Sequence, residues 1–195
     1  YKSIKKLKKN NVIVNVGLEK NRTYNLNKFF FKSVLKKKPF TKVKIATSTD
    51  EKIAWHDYKS KWISNKSSRE YAHKLRSMSQ AILTTSKTVL KDDPRLTIRL
   101  KKTLEQHIPV IIIDNNLKIP MKSKILKDIS KKRIIIFTSK KNKKSESLIK
   151  LGCEIIFCKL NKNKKLNLKN VFSKIYSLKI SDLLVEAGGN FFTEL

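Results

Sequence analysis

Six short apolar runs punctuate the chain: Lys42–Thr47 (KVKIAT), Ala81–Thr84 (AILT), Val110–Asp114 (VIIID), Arg133–Thr138 (RIIIFT), Glu154–Cys158 (EIIFC) and Asp182–Glu186 (DLLVE). Each has strand length and most are dense in Ile and Val. A strand wetted on one face alternates polar and apolar residues, whereas one covered on both faces reads as an unbroken apolar run. Most of these runs are unbroken, so helices must lie on both sides of the sheet they build. The segments between them supply such helices. Ser67 and Glu70 have capping-box spacing, and Tyr71, Leu75 and Met78 then mark one helix face, with Met78 expected in the core. A short helical turn covers Ser86–Leu90 until Asp92-Asp93-Pro94 breaks it. Further helices fall around Ser145–Leu151 and Leu168–Leu178. Such alternation predicts an α/β fold with a mostly parallel sheet flanked by helices.

Residues 1–40 differ. Asn11–Val16 (NVIVNV) reads as a strand closed by Gly17, and Leu26, Phe29, Phe30 and Val34 then recur at helical spacing until Pro39. This piece reads as the tail of an upstream unit plus a connector, with residues 41–195 as the main domain. The chain opens at Tyr1 and stops at Leu195 just beyond a glycine turn, so both ends read as cut. No apolar run approaches the ~20 residues that cross a bilayer, which argues against a membrane partner.

The formal net charge is +31. Clustered cations can track nucleic acid, but here lysines are spread along nearly the whole chain among Asn and Ile. That distribution reads as solvated faces in a chain of biased composition, so no specific nucleic-acid partner is expected. Cys153 and Cys158 are the only cysteines. Five positions apart on one strand, they lie ~16 Å from each other, too far for a disulfide. They read as core thiols in a reducing compartment, the cytoplasm.

Arginine is scarce where lysine is the default: only Arg22, Arg69, Arg76, Arg95, Arg99 and Arg133, four of them between Ser60 and Arg99. Arginine is favoured where a planar fork must hold phosphate or carboxylate, so that block reads as the wall of an anion site. In an open α/β sheet ligands gather at the carboxyl ends of the strands. There stand Glu186-Ala187-Gly188-Gly189-Asn190, Asp114-Asn115 and Thr84-Thr85-Ser86. The glycine pair opens a helix and lets backbone approach a ligand, though a bare tight turn would look the same. The hydroxyls and amides could equally cap helices. His56, His73 and His107 have no partner at metal or triad spacing and read as surface or packing residues; no metal site is expected.

Four stretches in order, KVKIATSTDEKIAW, SKWISNKSSREYAHKLRSMSQAILTTSKTVLKDDPRLTIR, PVIIIDNNLKIP and LLVEAGGNFFTEL, resemble the reductase domain of the bifunctional riboflavin-biosynthesis deaminase–reductase, from about Lys42 to Leu195. The leader, with NVIVNVG and NLNKFF, is similar to the end of that family's deaminase domain and its connector. The deaminase zinc motifs, H-x-E and P-C-x-x-C, are absent from this chain. The resemblance implies a dihydrofolate-reductase-like fold whose C-terminal part lies beyond Leu195, in a protein that is homo-oligomeric at full length. It implies a small phosphorylated pyrimidine as substrate: 5-amino-6-(5-phosphoribosylamino)uracil, reduced to its ribitylamino counterpart by hydride from NADPH to the sugar C1′. Substrate contacts are implied at Ser60, Arg76, Leu96, Arg99 and Glu186. Cofactor contacts are implied at Ala46, Trp62, Thr88, Asp92 and Asn115, and along Gly188, Gly189, Asn190, Phe191, Phe192 and Thr193. Glu186 and Lys44 are candidates to polarise or protonate the opening sugar; a salt bridge between the two would leave the same residues in the sequence. Thr138-Ser139-Lys140-Lys141 at a strand's end is a candidate for the 2′-phosphate that separates NADPH from NADH. Two departures stand out. The family's S-L-D-G after the first strand is here Ser48-Thr49-Asp50-Glu51, and Gly189-Asn190 replaces the usual residues after E-A-G.

Overall fold

The strands are β1 (Phe40–Val43), β2 (Ala81–Thr85), β3 (Val110–Ile113), β4 (Ile134–Thr138), β5 (Glu154–Phe157) and β6 (Asp182–Val185). They form one sheet ordered β1-β6-β2-β3-β4-β5, and every pairing in it is parallel. The structure is a computed structural model and describes residues 2–53, 63–100 and 106–195. Among these residues the helices are α1 (Lys2–Lys9), α2 (Lys20–Leu26), α3 (Lys28–Lys36), α4 (Lys66–Ser77), α5 (Ser86–Asp92), α6 (Lys124–Lys127), α7 (Lys143–Leu151), α8 (Leu168–Ser177) and α9 (Gly189–Phe192).

The unbroken apolar runs divide between two cores, as a doubly covered sheet requires. Leu83, Ile111, Ile135, Phe137, Leu183 and Val185 face one side and meet Val171 and Ile175 of α8. Ile82, Val110, Ile112, Ile134 and Ile136 face the other and meet Val89 of α5, Ile125 and Leu126 of α6 and Leu148 of α7. Each fully buried Ile or Leu stabilises the fold by roughly 1.5–3 kcal/mol. The covering helices are locally specified as well. Asn142 and Ser145 form a reciprocal capping box at the start of α7, and Gly152 ends it at φ 108°, a conformation that favours glycine. Cys153 and Cys158 are both buried free thiols, and burial pushes the Cys153 thiol up to about 11.

Four expectations are corrected. Asn11–Val16 forms no strand: no other strand offers it a ladder, and Ile13 and Val16 are exposed. The first strand runs from Phe40 to Val43 rather than from Lys42 to Thr47. The helix after it is capped by Asn65, whose side chain accepts from the Ser68 N–H, instead of by a Ser67–Glu70 box. Tyr71 and Met78 on that helix are 59% and 57% exposed, so Met78 is not core. The inward side of α4 runs through Arg69, Ala72, His73, Leu75 and Arg76 and is mostly polar, so of the expected apolar stripe only Leu75 turns inward. At the β1 edge α3 packs on the sheet, with Phe29 edge-on to Phe40 at 4.6 Å between ring centroids.

Candidate active site at the carboxyl edge of the sheet

Because every strand runs the same way, all the carboxyl ends fall on one edge. The segments after β1 and β6, which are neighbours in the sheet, bound an open cleft of about 840 Å³. Its lining includes Ile45, Thr47 and Ile53 on one side and Gly189, Asn190, Phe192 and Thr193 on the other. Gly188 caps α9 in extended backbone, and a Cβ added there would meet nothing within 4 Å. A Cβ at Gly189 would stand 2.4 Å from Ile53 Cδ1. The second glycine thus lets the cleft's two walls close up, while the first leaves backbone open to a ligand. The first N–H groups of the helix have no intrahelical acceptor.

Beside the cleft, α4 meets the end of β6. Arg76 Nε donates to Glu186 Oε1 at 2.5 Å and Nη2 donates to Oε2 at 2.9 Å. Arg76 Nη1 donates to the Thr97 carbonyl at 2.8 Å. Both side chains of the pair are nearly buried, at 14% and 10% exposure. Three of the five N–H bonds of a guanidinium are thereby engaged, which leaves two for another acceptor. Glu186 is fixed through its backbone too, its N–H donating to the Leu83 carbonyl at 2.9 Å. Lys44 lies alongside, its N–H donating to the Val185 carbonyl at 3.0 Å. The Glu186 carboxylate turns to Arg76, so the Lys44–Glu186 salt bridge does not form.

Arg99 reaches the same place from a different segment. Its N–H donates to Nδ1 of His73 at 3.1 Å. Its guanidinium is exposed and, among the described residues, has no carboxylate partner. Burial holds the His73 imidazole below its ordinary value. Arg76 and Arg99 act in the same direction, and the Thr97 carbonyl and Glu186 oppose them. Arg76 is bonded to both Glu186 and the Thr97 carbonyl, and Arg99, two residues after Thr97, is bonded through its N–H to His73 on the same helix as Arg76, so the three residues gather at one end of that helix. His73 reads in the sequence as a surface or packing residue, and the fold sets it beside Arg99. Its signal was present, because His73 and Arg76 are three apart and share a helix face.

The remaining expected residues are spread along the edge. Ala46 sits half-buried between the cleft residues Ile45 and Thr47. The Leu96 side chain is buried in the core at φ 49°, so only its backbone is free to meet a ligand. Thr88 stands in the first turn of α5, its N–H donating to Thr85 Oγ1 and the two hydroxyls 3.1 Å apart. Asp92 is exposed at the end of that helix. The Asn115 side chain is engaged, Oδ1 accepting from Ser139 Oγ at 2.7 Å and Nδ2 donating to the Lys164 carbonyl at 3.2 Å. Thr138 is buried, its hydroxyl donating to the Asn115 carbonyl, while Lys140 and Lys141 are exposed. Phe191 faces the core; Asn190, Phe192 and Thr193 line the cleft. Ser60 and Trp62, with Trp55 and His56, lie outside the described residues. One cleft feature was not anticipated: the Lys165–Glu194 ion pair on its rim.

The family model described as the RibD C-terminal domain matches residues 39–195. The riboflavin biosynthesis protein RibD of Aquifex aeolicus is 36% identical over 187 residues, covering 96% of this chain and 51% of that protein. RibD of Actinobacillus pleuropneumoniae is 32% identical over 176 residues, covering 89% of this chain and 46% of that protein. Among solved structures, a diaminohydroxyphosphoribosylaminopyrimidine deaminase/5-amino-6-(5-phosphoribosylamino)uracil reductase from Thermotoga maritima superposes with TM-score 0.78 at 28% identity, over 98% of this chain and 51% of that one. A RibD structure from Acinetobacter baumannii gives TM-score 0.81 at 24% identity, over 99% of this chain and 53% of that one, a likeness of fold. The chain spans about half the length of the relatives it matches.

Proposed function

The chain belongs to the RibD C-terminal domain family, and on that premise we propose that it is the NADPH-dependent reductase part of a bifunctional riboflavin-biosynthesis enzyme. Its substrate in this reading is 5-amino-6-(5-phosphoribosylamino)uracil and its product the ribitylamino compound. Residues 1–40 are then the tail of an upstream deaminase domain and its connector, in a cytoplasmic homo-oligomer. The observation that carries the proposal is the buried Arg76–Glu186 fork standing beside a glycine-walled cleft, in a chain whose family match spans both.

The cleft fits a dinucleotide. Its volume lies in the ~300–1,000 Å³ range of small-molecule sites. Gly189 lines its wall, Gly188 before it is exposed backbone without a side chain, and the Gly189 and Asn190 N–H groups have no acceptor within the short helix they open. Ala46, Gly188, Gly189, Asn190, Phe192 and Thr193 would hold the cofactor, with Lys140 and Lys141 available to a 2′-phosphate. When bound, NADPH supplies the hydride.

The chain's own residues have three tasks. The first is to hold the substrate's phosphate and sugar: Arg99, the two remaining N–H bonds of Arg76 and the Leu96 backbone would do so, with Ser60 as a further contact. The second is to keep an anion fixed beside the sugar. Bound by Arg76 on both oxygens, the Glu186 carboxylate stays in one orientation and can accept from a sugar hydroxyl. The third is the proton. As the C1′–ring oxygen bond opens and C1′ takes the hydride, the ring oxygen needs one proton. Lys44, half-buried beside Glu186, is the candidate donor.

The test is loss of NADPH absorbance when the deaminated pyrimidine is added to the full-length protein. Stoichiometric oxidation with formation of the ribityl product is expected. Tight NADPH binding with no turnover of this substrate would remove the reading.

A further inference from the structure

Arg99, the one site cation on this edge with an exposed guanidinium and no carboxylate partner among the described residues, is held by a residue to which no role has been given. Its backbone N–H is bonded to His73 Nδ1 at 3.1 Å. Leu96, three residues earlier, sits at φ 49° with its side chain in the core. The Thr97 carbonyl accepts from Arg76, and Ile98 bridges to Gln106. The segment is thus pinned at successive residues, and His73 supplies the last pin before the Arg99 side chain. We propose that His73 is a positioning residue of this site: by accepting the Arg99 N–H it fixes that arginine against the Arg76–Glu186 pair, where the two guanidinium groups can share the anionic end of a pentose 5-phosphate. The substrate class rests on the reductase reading; the pinning of Arg99 does not.

The surroundings keep His73 an acceptor. Among the described residues the charged groups facing it are Arg76 on its own helix, Arg99 on the pinned segment and Glu186 at the end of β6. Burial and the two arginines outweigh the Thr97 carbonyl and Glu186 and lower its basicity, which favours the neutral ring whose Nδ1 lone pair accepts the Arg99 N–H. Protonating the ring would place an N–H against the Arg99 N–H and break the pin.

The experiment has two arms. In the first, the amide of Arg99 is followed by NMR in the full chain as pH falls. Its shift should follow His73 protonation, with a midpoint below the ordinary ~6.5 of histidine. An Arg99 amide indifferent to His73 overturns the proposal. In the second, binding of ribose 5-phosphate is measured at neutral pH for His73→Leu and His73→Asn. Losing the acceptor should weaken binding about tenfold, and Asn, whose Oδ1 can replace Nδ1, should restore it to within about twofold. A Leu variant that binds like the parent, or an Asn variant as weak as Leu, overturns it. If the parent binds no ribose 5-phosphate while the Arg99 amide still follows His73, the assignment of the shared anion to a pentose 5-phosphate falls and the pinning stands.

Discussion

Two arginine–glutamate forks sit at opposite ends of the sheet. Arg133 and Glu154 pair where β4 and β5 begin, at 2.7 and 2.8 Å. Arg76 and Glu186 pair where β6 ends, at 2.5 and 2.9 Å. The bonding is the same and the surroundings are opposite. The first pair is half exposed, at 48% and 44%, and the second nearly buried, at 14% and 10%. Water screens an exposed pair to about 0–1 kcal/mol. A buried pair costs several kcal/mol per ion to desolvate, so it survives where its geometry is tight or its charge has a use. The amino end of this sheet carries a fork screened by solvent, and the carboxyl end carries one whose charges are held away from water.

The largest test of that contrast removes one charge from the buried fork. Glu186→Gln keeps the shape and strands the Arg76 guanidinium beside a neutral amide. The loss in unfolding free energy should be about 3–5 kcal/mol, read from denaturant midpoints at constant m. NADPH oxidation should fall with it. A midpoint like the parent's would erase the distinction between the two ends.

Between the extremes stands Arg95–Asp128, exposed by 40% on the arginine side and 9% on the aspartate. Lys132 is buried behind it and donates to the Arg95 carbonyl at 2.5 Å. Asp128→Asn should cost about 1.5–3 kcal/mol, the worth of hydrogen bonds to a charged group. Its pH dependence has a definite sign. The Arg95 hydrogen bond chiefly, with Lys132 and His107 adding, holds the folded carboxyl below its ordinary value against the opposing effect of burial. The group therefore stabilises the fold fully above the unfolded value of ~3.9 and loses that contribution as pH falls through the lower folded value. Stability of the parent should drop over that acid window, and that of the Asn variant should drop less. Parallel curves would show that the pair is solvated after all.

The sheet was legible because its residues state their burial directly. Runs such as VIIID and RIIIFT cannot be half wet, and they mark five of the six strands to within a residue or two. The site was legible in part. Glu186, Gly188 and Gly189 follow a strand end, and position at the carboxyl edge follows from parallel topology alone. Misreading began where polarity and burial part company. On α4 the inward face is Arg69, His73 and Arg76, so the apolar residues Tyr71 and Met78 pointed to the solvent side. Leu96 was placed in the site by resemblance, and only its backbone is available there, since a positive φ turns its side chain into the core. Asn11–Val16 has strand composition with no neighbour to pair with, and pairing is a property of the whole chain. The partnership of Glu186 with Arg76 rather than Lys44 was equally hidden, because 110 residues separate the pair and only the fold selects between two nearby cations.

The smallest effect belongs to the exposed fork, and it is the sharpest control. Arg133 holds the Glu154 carboxyl below its ordinary value, and Glu154 in turn raises the basicity of Arg133. Half of each side chain is in water, so little of that mutual shift survives as stability. Arg133→Ala should cost less than about 1 kcal/mol, a loss that salt at about 0.5 M removes, because the Debye length then falls to ~4 Å. What remains of the Glu154 contribution is present above the unfolded value of ~4.3 and lost as pH falls below it. Turnover of NADPH should not change, because the pair stands at the strand ends opposite the cleft. An Arg133→Ala variant as damaged as Glu186→Gln would mean that the forks differ in address but not in energy, and burial would no longer explain why the carboxyl end holds the site.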